Sequence, residues 1–567
     1  MRHESTVVNN GNNLLPHILR GILWTTVIFS FVISTLLIAT YLQIKIHDPF
    51  NSPAIEFIRN KIDQDPEDMD LRNEFRALDL IARKAYFTSQ WQIRWGSILL
   101  IFFVFCFFLC LKAIYSLSSV IPGRPSQETK DFWYQQNITR KILIITGPSL
   151  IFAGLLSGFF LYNDLYLDES IDQIPAPAAY SEMMKNWPSF RGPGSNGTSH
   201  YTNIPVEWDG NSGKGIKWKT EIPRSGNSSP VVWEDLVFLT GGDSDVREVF
   251  CFNKNDGKLI WRRIVNVKPL SKDKMPKLDK ETGYAPQTMA CDGRLVYAIF
   301  PTGELISFDF SGKKIWSRFL GVPENHYGHS SSLITHEDLL FVQFDQRENG
   351  KVFALYGSTG KTAWEVDRKE LSWASPICVN TGKRFELILT DNTSVTSYDP
   401  ETGDIFWTHS CLYGEVAPSA VFAAGRVFVA NEYAIAACIQ LESGGKDSSK
   451  IIWEWNDDLP NTASPAASEK YVFFATADGI VSCVDAEKGS TVWYQEFDYG
   501  FYSSPVIVGN SIYLLDREGT MNIFEVSNTY KSIGNPKIGE PTVATPAYCD
   551  NLIIIRGEKN LFGIDGK

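Results

Sequence analysis

An approximate repeat runs from Ser229 to the C-terminus, and it constrains the fold more than any other feature of the chain. Each unit opens on Ser-Pro or a close variant and closes on Gly-x-x-x-Trp. The openings begin at Ser229, Ala285, Ser332, Ser375, Ala417, Ser464, Ser504 and Thr545, which makes eight. The closings end on Trp261, Trp316, Trp364, Trp407 and Trp493, with a looser one on Trp453. Successive tryptophans lie 40 to 55 residues apart, the span of four short strands with their turns, and this is the period of a β-propeller blade. In the first unit, residues 231–233, 236–240, 249–252 and 259–262 have the composition of strands, with Asn255-Asp256-Gly257 as a tight turn. One large ring per unit suits the wedge between neighbouring sheets, so the recurrent Trp is a packing residue before it is a binding one.

The ends of the repeat imply a closed ring. The eighth unit stops at Lys567, where its last strand should begin, while an unpaired strand around Trp218 precedes the first unit. That strand is expected to complete the eighth blade and so remove two open sheet edges. The seventh unit has no Trp after its segment TMNIFEV, and Tyr530 or Ile533 is expected to substitute. Fusion of this unit with a neighbour would leave seven blades.

The Ser-Pro openings and Gly-x-x-x-Trp endings resemble the repeats of the pyrroloquinoline quinone (PQQ) dehydrogenases and of the propeller lipoprotein of outer-membrane β-barrel assembly. The lead-in from Trp187 to Pro223, WPSFRGPGSNGTSHYTNIPVEWDGNSGKGIKWKTEIP, is similar to that of membrane-anchored PQQ-like repeat proteins of planctomycete-type bacteria. The resemblance covers 187–567. It implies an all-β eight-bladed propeller and leaves the activity open, because this architecture hosts unrelated functions.

Three apolar stretches precede the propeller, at 21–44, 95–115 and 142–162, each long enough for a hydrocarbon core of about 30 Å. They predict an α-helical anchor of three transmembrane helices. The segment 116–141 is rich in Lys and Arg, and the one after the third stretch opens on Asp164, Asp168 and Glu169. The positive-inside rule then places 1–20 and 116–141 in the cytoplasm, and the propeller in the periplasm, held at the inner membrane. Residues 45–94 become an extracytoplasmic helical loop, with a helix expected over 66–90. The Pro- and Ala-rich 163–186 is expected to be a tether.

Composition narrows the function. A net charge of −12 without a basic stripe argues against nucleic acid. Nine cysteines are scattered without a CxxC, and those six residues before a turn in their units, such as Cys251 and Cys483, are expected to be small core residues. A quinone dehydrogenase of the resembled kind would carry a vicinal Cys pair and a cluster of acidic Ca²⁺ ligands, and neither is in the sequence. The two histidines of His326-Tyr327-Gly328-His329 lack a third ligand. No catalytic residue, cofactor or metal is therefore expected. Three positions before each proline equivalent, the units carry Asn227, Gly283, Ser330, Trp373, Glu415, Thr462, Tyr502 and Val543. Where the scaffold repeats, this ring varies, as a recognition surface must. Asn227, Trp373, Glu415 and Tyr502, with His329, are expected to form a rim that binds an envelope protein or a glycan. A PQQ-dependent oxidoreductase and a sensor coupled to the spans are the alternatives.

Overall fold

The computed structural model describes residues 14–46, 92, 95–114, 174–265, 278, 281–325, 327–441 and 449–567. It divides into two compact units, 1–167 and 168–567. In the first, the helix Leu14–Ile46 and the helix Trp95–Ile114 lie antiparallel, with Phe29 stacked on Phe103 at 5.4 Å and Gly96 against Leu37. Two stretches, Ile18–Leu37 and Trp95–Ile114, are long and apolar enough to cross a membrane. The expected third span at 142–162, the helix over 66–90 and the loop 116–141 fall outside the described residues.

The second unit is an eight-bladed β-propeller of antiparallel sheets. In the first blade Val231–Trp233, Leu236–Gly242, Arg247–Asn253 and Leu259–Ile264 run from the axis outward. The inner three strands are buried on both faces because a blade is flanked by two others. In this blade only the outermost strand, Leu259–Ile264, exposes most of its residues. Ring closure is as the sequence implies: Ile216–Glu221 is the outermost strand of the eighth blade, antiparallel to Asn560–Ile564, with Trp218 opposite Gly563.

The two ends of the Gly-x-x-x-Trp motif serve different seams. Each Trp stands across the sheet from a small residue: Cys251, Ser307, Ala354, Ser397, Cys438 and Cys483 face Trp261, Trp316, Trp364, Trp407, Trp453 and Trp493. The ring reaches over the turn of the following blade. There the indole N–H of Trp218, Trp261, Trp316, Trp364, Trp453 and Trp493 donates to a turn carbonyl at 2.6–3.1 Å. A Cβ on Gly257, Gly312, Gly360, Gly403 or Gly489 would lie 2.4–2.8 Å from the ring of the preceding blade's Trp. These glycines also hold φ between +67° and +81°, so both the turn and the neighbour's ring exclude a side chain. Trp407 departs from the pattern and donates to Glu386 in its own blade.

The seventh blade solves the missing Trp differently from either expectation. Gly534 stands at the Trp position, and its cross-strand partner grows to Ile523. Ile533 is exposed, and Tyr530 packs back on Trp493 at 5.6 Å, in the seam with the sixth blade. The seam with the eighth blade is filled from the lead-in: Ile204 and Trp208 are buried with Ile523 and Ile564, and Gly566 of the eighth turn faces Pro205. Nor are residues 174–186 a free tether. The Ala178 N–H donates to the Asp292 carbonyl at 2.8 Å, Arg294 donates to the Pro175 carbonyl at 2.7 Å, and Tyr180 packs edge-on against Phe385.

Candidate functional site

Eight hydroxyls form a closed ring around the axis. The backbone N–H of Ser229 donates to Thr288 Oγ1, that of Thr288 to Ser332 Oγ, and so on through Ser375, Ser419, Ser464, Ser504 and Thr545, whose N–H returns to Ser229 Oγ. All eight bonds measure 2.9–3.1 Å. Each residue is buried and stands two places before its inner strand. There the amide has no strand neighbour, and a short hydroxyl on the next blade satisfies it. This is the reason for the Ser of Ser-Pro. In the second and fifth units the sequence has Ala-Pro, and the hydroxyl comes from Thr288 and Ser419, beyond the proline.

That shift corrects the register of the expected rim. Two residues before the hydroxyls stand Asn227, Pro286, Ser330, Trp373, Ala417, Thr462, Tyr502 and Val543, and all eight line one cavity of about 710 Å³ at the axis. Asn227, Trp373 and Tyr502 thus come together as expected and are partly exposed. Glu415 also lines the cavity, although Ala417 holds the equivalent position, while Gly283 is absent from the lining. His329 does not line it. It is 2 % exposed, stacked on Phe344 at 5.4 Å, and burial pulls its imidazole down to about 4. The pair of histidines is not a metal site on the described residues, because His326 lies outside them and no group of three His, Cys, Asp or Glu able to hold a metal occurs among them.

Phe190 lines the cavity, carried there by the lead-in, which ties distant blades together. Trp187 pairs with Val232 of the first blade, and the Pro188 carbonyl accepts the Cys291 N–H of the second. Arg191, buried with φ +61°, donates to the carbonyls of Ala420 and Pro465 in the fifth and sixth. Its burial without a carboxylate lowers the guanidinium to about 9. Asn196 pairs both ways with the Phe422 backbone, and Thr198–Ser199 adds a strand to the seventh blade. The sequence reading missed this plug, though its FRGPGSNG run, with Gly192, Gly194 and Gly197 all at positive φ, is a signal for a tight path.

The mouth is aromatic and acidic. Tyr327 meets Trp373 edge-on at 5.5 Å, and the Trp373 indole donates to Asn325 Oδ1 at 2.8 Å. The Tyr502 hydroxyl donates to Glu281 at 3.1 Å. Glu281, Glu415 and Glu432 line the cavity, and no Lys, Arg or His does so among the described residues. Such a lining suits a cation, by ring quadrupole and by carboxylate charge. It does not suit the carboxylates of a pyrroloquinoline quinone, which would meet like charge and no basic partner. All nine cysteines are free, and burial pushes the thiols of Cys251 and Cys438 up to about 12, which makes them poor nucleophiles.

A family model described as "Outer membrane protein assembly factor BamB" matches residues 206–378 and 391–529. A protein of that name from Yersinia pestis is 24% identical over 428 residues, 68% of this chain and 99% of the relative. Among solved structures, the quinohemoprotein alcohol dehydrogenase of Comamonas testosteroni is 12% identical with a TM-score of 0.50, covering 68% of this chain and 81% of that one. BamB of Moraxella catarrhalis is 14% identical with a TM-score of 0.46, covering 61% and 95%. At these identities the structural likenesses speak to the fold alone.

Proposed function

We propose, for a chain that belongs to the outer membrane protein assembly factor BamB family, a non-catalytic binding module of the bacterial envelope that captures a protein partner at the funnel mouth. The observation that carries this reading is the mouth itself, where non-identical residues from all eight blades stand over a repeating hydroxyl ring. Arg517 already meets Glu281 at 3.8 Å and lies over Tyr502, but Glu415, Glu432 and the rings of Tyr327, Trp373 and Tyr433 remain in the lining, so the mouth favours a partner segment bearing Lys or Arg over an anionic glycan. A relative named as an assembly factor supports a partner of protein nature. The quinone-enzyme alternative has no support in the lining, and nothing in the described residues favours the sensor.

Its setting in this proposal is the inner membrane. The two apolar helices and a third span at 142–162 would anchor it, with residues 1–20 in the cytoplasm and the propeller in the periplasm. The test is a photo-crosslinking amino acid at Tyr433, in the mouth, and at Tyr494, on the outermost strand of the sixth blade; both are 64% exposed. In intact cells a discrete partner band is expected from position 433 and not from 494, and it should fade in Glu415→Lys/Glu432→Lys. Equal bands from both positions, or a band indifferent to the charge reversal, would remove the mouth from the account.

A further inference from the structure

Phe190 is the only residue of the lead-in that lines the funnel cavity among the described residues. Its ring is half-buried, and it joins none of the apolar clusters that fill the seams between blades. The next residue, Arg191, donates to the carbonyls of Ala420 and Pro465, each one place after a ring hydroxyl, Ser419 or Ser464. The rim residues stand two places before those hydroxyls. The lead-in therefore meets the inner strands beyond the hydroxyl ring, and Phe190 is the side chain it contributes to the cavity.

Charge and apolar surface are separated within this lining. Pro286, Ala417 and Val543 add partly exposed apolar groups, and the buried hydroxyl residues carry no charge. The carboxylates belong to exposed residues: Glu281, which is engaged by Tyr502 and Arg517, and Glu415 and Glu432, which form no ion pair among the described residues. A cationic head taken past the exposed carboxylates would lose its water with no carboxylate among the hydroxyls to replace it, which is costly. An apolar side chain taken there gains, because it removes its own surface and that of the Phe190 ring from water.

We infer that the captured segment carries a large apolar side chain that enters the funnel to cover Phe190, next to a Lys or Arg that stays outside with Glu415 and Glu432. The inference rests on the proposed role of the funnel mouth and names the partner more closely. Exposed carboxylates draw any basic segment to the mouth, and that attraction discriminates little among them. Phe190 supplies the discrimination, since only a segment with an apolar residue beside its basic one gains from the lead-in ring.

Fluorescence anisotropy with the purified full chain in detergent tests it, using two labelled peptides as probes, Lys-Ser-Phe-Ser-Lys and Lys-Ser-Ser-Ser-Lys. The Phe peptide should bind saturably and about tenfold more tightly than the Ser peptide. Phe190→Ala should bring the Phe peptide to the level of the Ser peptide, whose own affinity should not change, and Phe190→Leu should keep most of the preference. Glu415→Lys/Glu432→Lys should weaken both peptides. Should Phe190→Ala fail to fold, Val543→Ser, at a partly exposed position of the same lining, is the second variant, and there the preference should fall about threefold. Equal binding of the two peptides to the wild-type chain, both lost on charge reversal, overturns this inference and leaves the role of the mouth standing. Binding of neither peptide overturns both. A preference undiminished in Phe190→Ala, or in Val543→Ser where that variant replaces it, also overturns the inference.

Discussion

Two rings of residues sit two positions apart in every blade and follow opposite rules. The inner ring is serine or threonine eight times over, each hydroxyl accepting the amide of a neighbouring blade, so its chemistry is dictated by the closure of the propeller. The outer ring holds Asn, Pro, Ser, Trp, Ala, Thr, Tyr and Val, and no side-chain type repeats along it. Repetition marks what the scaffold requires; variation marks what it leaves free for recognition. Substitutions in the two layers should therefore separate stability from capture.

The sharpest contrast within the scaffold is expected at the wedges. Trp364→Ala removes a ring that covers Gly403, touches Phe341 and donates to the Pro400 carbonyl. It should cost about 3–5 kcal/mol of unfolding free energy by denaturant titration. A loss under 1 kcal/mol would mean that the seams do not depend on their tryptophans.

Next in size is a pH effect, from a residue beneath the rim. Burial holds His329 at about 4, against 6.5 for the unperturbed side chain. Between those values the unfolded chain binds a proton that the folded chain does not. The neutral imidazole is thus accommodated in full above pH 6.5, and stability falls as the pH drops towards 4, by about 3 kcal/mol in total. His329→Leu should flatten that part of the stability profile; an unchanged slope would assign the acid sensitivity to other groups.

A single link of the hydroxyl ring should matter less. Ser375→Ala strands the Ser332 amide, at a cost of about 1–3 kcal/mol, whereas Ser375→Thr should be close to neutral, since Thr288 and Thr545 already serve in the ring. Equal losses from Ala and Thr would show that side-chain size, and not the bond, governs the position.

How far the sequence disclosed all this depends on how local each signal is. Blade number, the wedge tryptophans and closure by the Trp218 strand were legible because each rests on a short periodic motif and on pairing between the chain ends. The seventh blade was not, because its solution is split between Ile523 opposite Gly534 and a segment some 300 residues earlier, at Ile204 to Trp208. Asn227, Trp373 and Tyr502 do line one cavity. Alignment on proline misplaced the second and fifth units, where the conserved physical requirement is a hydroxyl two residues before the inner strand. His329 was misassigned because a histidine beside a loop glycine gives no sign of the Phe344 ring it stacks on.

The smallest expected effect on stability belongs to the residue on which the account most depends. Trp373 is partly exposed and its indole bonds only to the Asn325 side chain among the described residues, so Trp373→Ala should cost less than about 1 kcal/mol of stability while weakening capture at a hot-spot position by about 2 kcal/mol. The decisive measurement compares Trp373→Ala with Trp364→Ala in unfolding free energy and in crosslink yield from position 433 per folded molecule. The account predicts a stable Trp373 variant with its partner band nearly lost, and an unstable Trp364 variant whose folded fraction still captures. A Trp373 variant as unstable as the Trp364 variant, with capture per folded molecule intact, would contradict it.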